Sequence, residues 1–479
     1  MTSPSDFSED FKMPFMWRLG FFVATLLLMS CASTGFDSDR LDVFVRAEMQ
    51  RQKVPGVAVA VVRKGHVVKA GGYGLANVEH GVPTAPETVF QSGSLGKQFT
   101  AVAVMLQVED GKLALNDPIT NYLAGAPNAW RSITVRHLLT HTSGIPDYNE
   151  DTLDMRRDYS EDDLAKFAFG LELEFPAGSR WNYSNTGYVL LGIIVRKVSG
   201  RFYGDVLRER VFAPLGMTTA RVIVEDDIVP HRAAGYRLVK GELKNQEWVS
   251  PVLNTTADGA LYLTVLDLVA WDAGLRSGAI LAPQSWAQIL APVRLNSGAT
   301  YPYGFGWFVD GFSGQRRQHH SGQWQGFSTY ISRYLEDDLT VAVLCNLASA
   351  EASSFVDGIA AVYNPHLATP PSIPMPDPEP QTSARLAALL SSAARGRLAP
   401  EEFAFVRAGF FPNTAAKYRE LLSDLGPLTR TELLERRQLG DDAVYRYRAV
   451  YANKSVLVQL GLATGSKVSV LSIREEREP

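Results

Sequence analysis

The chain has 479 residues, more than one hydrophobic core of ordinary size can serve, so two domains are expected. Hydrophobic residues make up 46% and charged residues 20%, the balance of a globular protein in water rather than of a membrane or disordered chain. The formal net charge is -4, and the absence of a basic run, a phosphate loop or an RNA-binding signature argues against a nucleic-acid partner.

In chain order, the first element is an export segment, expected over residues 1–31. Lys12 and Arg18 precede an apolar run, Leu19 to Met29, which ends in Ser30-Cys31-Ala32-Ser33. Positive flank, short apolar stretch and small residues are the pattern of a cleaved signal. The run falls short of the ~20 apolar residues of a membrane-spanning helix. Leu28-Met29-Ser30-Cys31 resembles a bacterial lipobox, which makes Cys31 the expected lipidation site, with plain cleavage as the simpler alternative. The expected location is the periplasm, with membrane contact through that lipid alone. The other cysteine, Cys345, lies in an apolar run and reads as a core residue.

Residues 40–365 read as one large unit. A helix (Leu41 to Lys53) leads into two apolar runs around Lys64-Gly65, the mark of a β-hairpin. Gly71-Gly72-Tyr73-Gly74 is not a phosphate loop, because no helix opens directly after it. Helical patterns fill the middle, and strand patterns return at Tyr303 to Val309, Thr329 to Leu335 and Leu339 to Cys345. The expected fold class is α/β, in the α+β arrangement. An antiparallel sheet, its first and last strands paired, is flanked by helices and carries a helical lobe. Residues 366–381 hold a run of prolines and read as an extended linker. Residues 382–479 read as a small α+β accessory domain. Its expected helices are Ala384 to Ala394, Pro400 to Ala408 and Thr414 to Leu425, and four strand-like runs follow from Glu432 to Arg474.

Three segments carry chemistry. In Ser94-Leu-Gly-Lys97 the serine and lysine stand one helical turn apart, within reach of each other. A serine hydroxyl needs a base to take its proton and fixed donors for the developing oxyanion. Alone, this spacing arises often by chance. Tyr183-Ser184-Asn185 lies on a loop before an apolar helix, and His320-Ser321-Gly322 lies just before a strand. Three such motifs in this order are hard to assign to chance.

With these motifs the sequence resembles the class C β-lactamase and D-alanyl-D-alanine carboxypeptidase family, which includes esterases and D-aminopeptidases. Supporting segments are His141-Thr-Ser-Gly144, Ala257-Asp258-Gly259 through Trp271, and Tyr303-Gly-Phe-Gly-Trp307. The resemblance implies a penicillin-binding fold and an acyl-serine mechanism. Ser94 would be acylated, and Lys97 and Tyr183 would move protons, with the Lys97 ammonium favouring a Tyr183 phenolate. Asn185 would orient Lys97 or the substrate, and His320, Ser321 and Gly322 would face the substrate. The backbone N–H groups of Ser94 and Gln323 would form the oxyanion hole. Dedicated β-lactamases usually carry lysine where this chain has His320, so ester, amide or D-amino-acid peptide bonds are the better expectation. A slow-turnover penicillin-binding sensor using the same pocket is the alternative.

Plainer readings attach to several residues. His141 is more simply a brace for its turn than a base. His319 and His320 are neighbours on an extended segment, point to opposite faces and make a poor metal pair, so no metal or cofactor is expected. Trp307 and Trp324 fit an acyl pocket or ordinary packing equally well. Asp147 and Tyr148 are candidates for the cleft rim. The expected partner is a small-molecule or peptide substrate, and oligomeric state is left open.

Overall fold

A computed structural model of the chain describes residue 37 and residues 39–148, 152–369, 372–407 and 409–476. The export segment and Cys31 lie outside the described residues. Helix α1 (residues 39–52) precedes strands β1 (Gly56–Arg63), β2 (His66–Asn77) and β3 (Val82–Pro83). Helices α2 (Lys97–Glu109), α3 (Asn185–Ser199) and α4 (Val265–Ser277) then form the lobe. Strands β4 (Phe308–Phe312), β5 (Gln315–Trp324), β6 (Phe327–Tyr334) and β7 (Leu339–Cys345) complete the sheet, and α5 (Ala352–Tyr363) closes the unit.

The seven strands run in the order β4-β5-β6-β7-β1-β2-β3. As expected, the first and last strands of the unit pair antiparallel, from Val57 opposite Cys345 to Arg63 opposite Leu339. The GVAVAVVR sequence of β1 alternates small and branched side chains, so its period of two sorts them onto different faces. Val57, Val59 and Val61 join a core with Leu41 and Val45 of α1 and Phe355 and Ile359 of α5. Ala58 and Ala60 face the helical lobe, where their small side chains leave room for α4. Asp272 of α4 is fully buried and pins the helix to the sheet: it accepts from Arg333 Nε (2.9 Å) on β6 and Thr340 Oγ1 (2.7 Å) on β7. Cys345 is a buried free thiol.

Two strand expectations shift. The segment from Tyr303 is irregular until β4 begins at Phe308. Packing causes this: a side chain at Gly304 would stand 2.1 Å from the Ile289 carbonyl oxygen, and Gly306 has φ 74°. The segment holding His320 is itself strand β5, although its sequence QRRQHHSGQW carries no apolar alternation. Cross-strand charge pairing substitutes for it, since Arg317 grips Asp310 of β4 through two bonds of 2.9 Å.

The C-terminal part contains α6 (Pro380–Ala394), α7 (Ala415–Ser423) and a four-stranded antiparallel meander. Its strands are β8 (Leu428–Leu439), β9 (Asp442–Tyr451), β10 (Ser455–Leu462) and β11 (Val468–Glu475). In β9, Tyr445, Tyr447, Ala449 and Tyr451 point into a separate core with Leu386, Leu389 and Leu390 of α6. The expected helix over Pro400 to Ala408 is a single tight turn, Pro400–Glu402. Beyond it Phe403 bridges to Val468, and Ala404 N–H donates to the Val468 carbonyl, which draws the chain out straight. The proline-rich segment is extended but tied down: Met375 N–H donates to Leu433 O (2.8 Å). Among the described residues, no helix is long and apolar enough to cross a membrane.

Candidate active site

Ser94 lies in a tight helical turn, Gly93–Gly96, that runs directly into α2. The residues of α2 from Lys97 to Gln107 are buried, so the helix crosses the middle of the lobe and holds Lys97 rigidly. Lys97 is fully buried. Its Nζ donates to Ser94 Oγ (3.1 Å), to Asn185 Oδ1 (2.6 Å) and to the Asp258 carbonyl oxygen. Three acceptors match the three N–H bonds of an ammonium. The neutral amine would keep two of these donations and turn its lone pair on the third partner. Asn185 Oδ1 and the Asp258 carbonyl can only accept, so the lone pair must face the Ser94 hydroxyl, which can donate. Burial pushes the Lys97 ammonium down to about 8, against the pull of the Asp258 and Asp147 carboxylates. Asp147 fixes the orientation of Asn185: it accepts from Asn185 N–H (2.7 Å) and from Nδ2 (3.2 Å), leaving Oδ1 for Lys97. Burial raises the Asp147 carboxyl to about 6.

Tyr183 comes to the same place on the loop before α3. Its ring centroid stands 4.9 Å from Lys97 Nζ. The Tyr183 hydroxyl is shielded from solvent and lies beside the Ser94 hydroxyl. Burial drives the phenol well above its ordinary value, although the nearby Ser94 hydroxyl works the other way. Burial thus disfavours the phenolate expected at Tyr183.

The third motif acts differently from expectation. His320 is fully buried and beneath the cavity, not on its wall. Ser184 N–H donates to His141 Nδ1 (3.1 Å), and burial holds His141 well below the usual imidazole range, so its one proton sits on Nε2. That proton goes to Tyr303 Oη (3.2 Å), and the Tyr303 hydroxyl donates to His320 Nε2 (3.0 Å). His320 Nδ1–H in turn donates to the Ser321 carbonyl (2.6 Å). Burial lowers His320 to about 3, so it too is neutral. This one-way chain braces the Tyr183 loop against β5. His141 thus braces its turn, the plainer of its two readings, and Tyr303, which opens one of the supporting segments, links the two imidazoles. Gly322 makes room for protein and not for substrate: a side chain there would lie 1.9 Å from the Ser92 carbonyl oxygen. Gly93, at φ 53°, would strike the Gln323 backbone nitrogen at 2.4 Å if it had a side chain. The close approach brings the Ser94 and Gln323 backbones to one side of the cavity. His319 serves another network, contacting Asp310 (3.1 Å) and Tyr330 (2.7 Å).

Ser94 opens into a cavity of about 790 Å³. Asn185, Gln323, Asp258, Tyr148 and Trp324 line it, and so does the C-terminal segment from Gly409 to Lys417. Tyr148 Oη donates to Asp258 Oδ2 (2.6 Å), which fixes both at the rim. Trp324 faces the cavity, whereas Trp307 is fully buried in the core. Asp147 was visible as a rim candidate, but its bond to Asn185 has no sequence signature. Among the described residues no cluster of three histidine, cysteine or acidic side chains could hold a metal ion.

A family model described as Beta-lactamase matches residues 41–362. Penicillin-binding protein 4* of Bacillus subtilis (strain 168) is 32% identical over 315 residues, which are 60% of this chain and 67% of that protein. The chain spans about two thirds of the length of the curated relatives it matches. Among solved structures, the octameric penicillin-binding protein homologue from Pyrococcus abyssi has a TM-score of 0.60 at 28% identity, covering 88% of this chain and 90% of its own. The D-amino acid amidase from Ochrobactrum anthropi SV3 has a TM-score of 0.61 at 25% identity, covering 69% of this chain and 99% of its own.

Proposed function

We propose, from the premise that this chain belongs to the beta-lactamase family, that it is a serine hydrolase. It works through an acyl-enzyme on ester, amide or D-amino-acid peptide bonds. The observation that carries this reading is the placement of Lys97 Nζ, 3.1 Å from Ser94 Oγ and bonded to two pure acceptors, so that its amine form turns a lone pair on the Ser94 hydroxyl. Lys97 takes the Ser94 proton as Oγ attacks the carbonyl carbon, and the backbone N–H groups of Ser94 and Gln323 receive the oxyanion. Tyr183 gives its proton to the leaving group, and the Lys97 ammonium beside its ring stabilises the phenolate left behind. In deacylation, water attacks the ester and yields its proton to the phenolate. Lys97 then returns its proton to Ser94 Oγ, and every group regains its starting state.

An esterase or D-peptidase fits better than an efficient β-lactamase. The buried, neutral His320 offers no cation to a penicillin carboxylate. The solved D-amino acid amidase supports the amide side of the reading. The export segment and the lipobox-like Cys31 support action in the periplasm, anchored by a lipid. The direct test compares rates on a short-chain nitrophenyl ester, a chromogenic cephalosporin and a D-Ala-D-Ala peptide, with Ser94→Ala as control. Sustained turnover of the ester or peptide above the cephalosporin is expected. Equal rates for Ser94→Ala, or a burst that stops at one equivalent, would contradict the proposal.

A further inference from the structure

The cavity above Ser94 has a wall that comes from the C-terminal part of the chain. Gly409, Asn413, Thr414, Ala416 and Lys417 line it, across from Trp324 and Tyr148. This wall is fastened to the catalytic unit at a telling place. Arg180, three residues before Tyr183, grips Asp442 through two bonds of 2.8 and 2.9 Å. The Arg180 guanidinium also lies 5.3 Å from the Phe405 ring, which meets Phe175 edge-on at 5.7 Å. The loop that delivers Tyr183 therefore also fixes the position of the wall.

The charges around the cavity are unevenly committed. Lys97 is bonded on all sides beneath Ser94. Among the residues that line the cavity, Asp258 is taken by Tyr148. Lys417 is exposed, on the first turn of α7, and makes no salt bridge among the described residues. Its flexible four-carbon stem lets the ammonium reach into the cavity. His320, where a cation would be needed to hold an anionic substrate from β5, is sealed below the floor. An anionic substrate group has Lys417 as its open cation.

The geometry points to Lys417 as a specificity residue that binds a carboxylate of the substrate, favouring peptides with a free C-terminal carboxylate. This rests on the acyl-serine reading above and names a substrate class for it. The recognition would come from a different part of the chain than the chemistry.

The test uses the full chain, a D-Ala-D-Ala peptide, the same peptide amidated at its C-terminus, and a neutral nitrophenyl ester as reference. Wild type is expected to prefer the acid over the amide, with a preference that shrinks as salt is raised. Lys417→Gln should raise KM for the acid about five- to tenfold with kcat nearly unchanged, bringing acid and amide together. Lys417→Glu should reverse the preference. Equal wild-type handling of acid and amide would overturn the assignment, as would the same change on both peptides in Lys417→Gln, or ester turnover with neither peptide cleaved. Loss of ester turnover in wild type would instead remove the acyl-serine reading itself.

Discussion

The floor of the cavity and its outer wall are built on opposite terms. Beneath Ser94, Lys97 holds three acceptors, Asn185 is locked by Asp147, and His141, Tyr303 and His320 form a directed chain. Across the cavity, the segment from Gly409 to Lys417 is half-buried to exposed throughout, and its lysine has no salt bridge among the described residues. Proton transfer from a serine fails when groups move by an ångström, so the floor is mounted on a central helix and braced. Holding a substrate tolerates a flexible side chain, so the wall can be a docked module.

Substitutions should sort by region. Ser94→Ala should lower kcat/KM for every substrate by at least about 10⁴-fold, read in ester hydrolysis. Lys97→Met should cost roughly 10³-fold and should also change the pH profile. In wild type the active form is the Lys97 amine, so kcat/KM should rise with pH through about 8 and level off above it. Without Lys97 that inflection should vanish. Asn185→Ala leaves the Lys97 ammonium one acceptor short and should cost about ten- to a hundredfold in kcat, with KM little altered. Arg180→Ala loosens the wall and leaves the floor intact: a few-fold rise in KM for a peptide is expected, with ester kcat held. A large kcat loss on the ester in Arg180→Ala would erase the distinction between the regions.

The two regions also differ in how far the sequence reveals them. Ser94, Lys97, Tyr183 and Asn185 sit at short spacings next to apolar helices, and helix geometry turns such spacings into proximity. The pairing of β1 with β7 follows from two apolar runs too continuous for any exposed strand. Strand β5 was hidden because charge pairing, not apolar alternation, holds it to β4. The buried state of His320 was hidden for a related reason: its partners Tyr303 and His141 come from distant parts of the chain. Lys417 stands more than 300 residues from Ser94, and contacts between distant segments, among them Arg180 on Asp442 and Phe175 on Phe405, bring the two to one cavity. Groups that act by local spacing are legible; groups that act across a domain contact are not.

The central claim is that Ser94 carries the acyl group during turnover. Intact-protein mass spectrometry of wild type and Ser94→Ala, quenched during hydrolysis of a slow ester, tests it most directly. The expected result is an acyl adduct at one equivalent, mapped to the peptide containing Ser94, that decays at least as fast as kcat. An adduct elsewhere, no adduct with full turnover, or the same adduct in Ser94→Ala would contradict it.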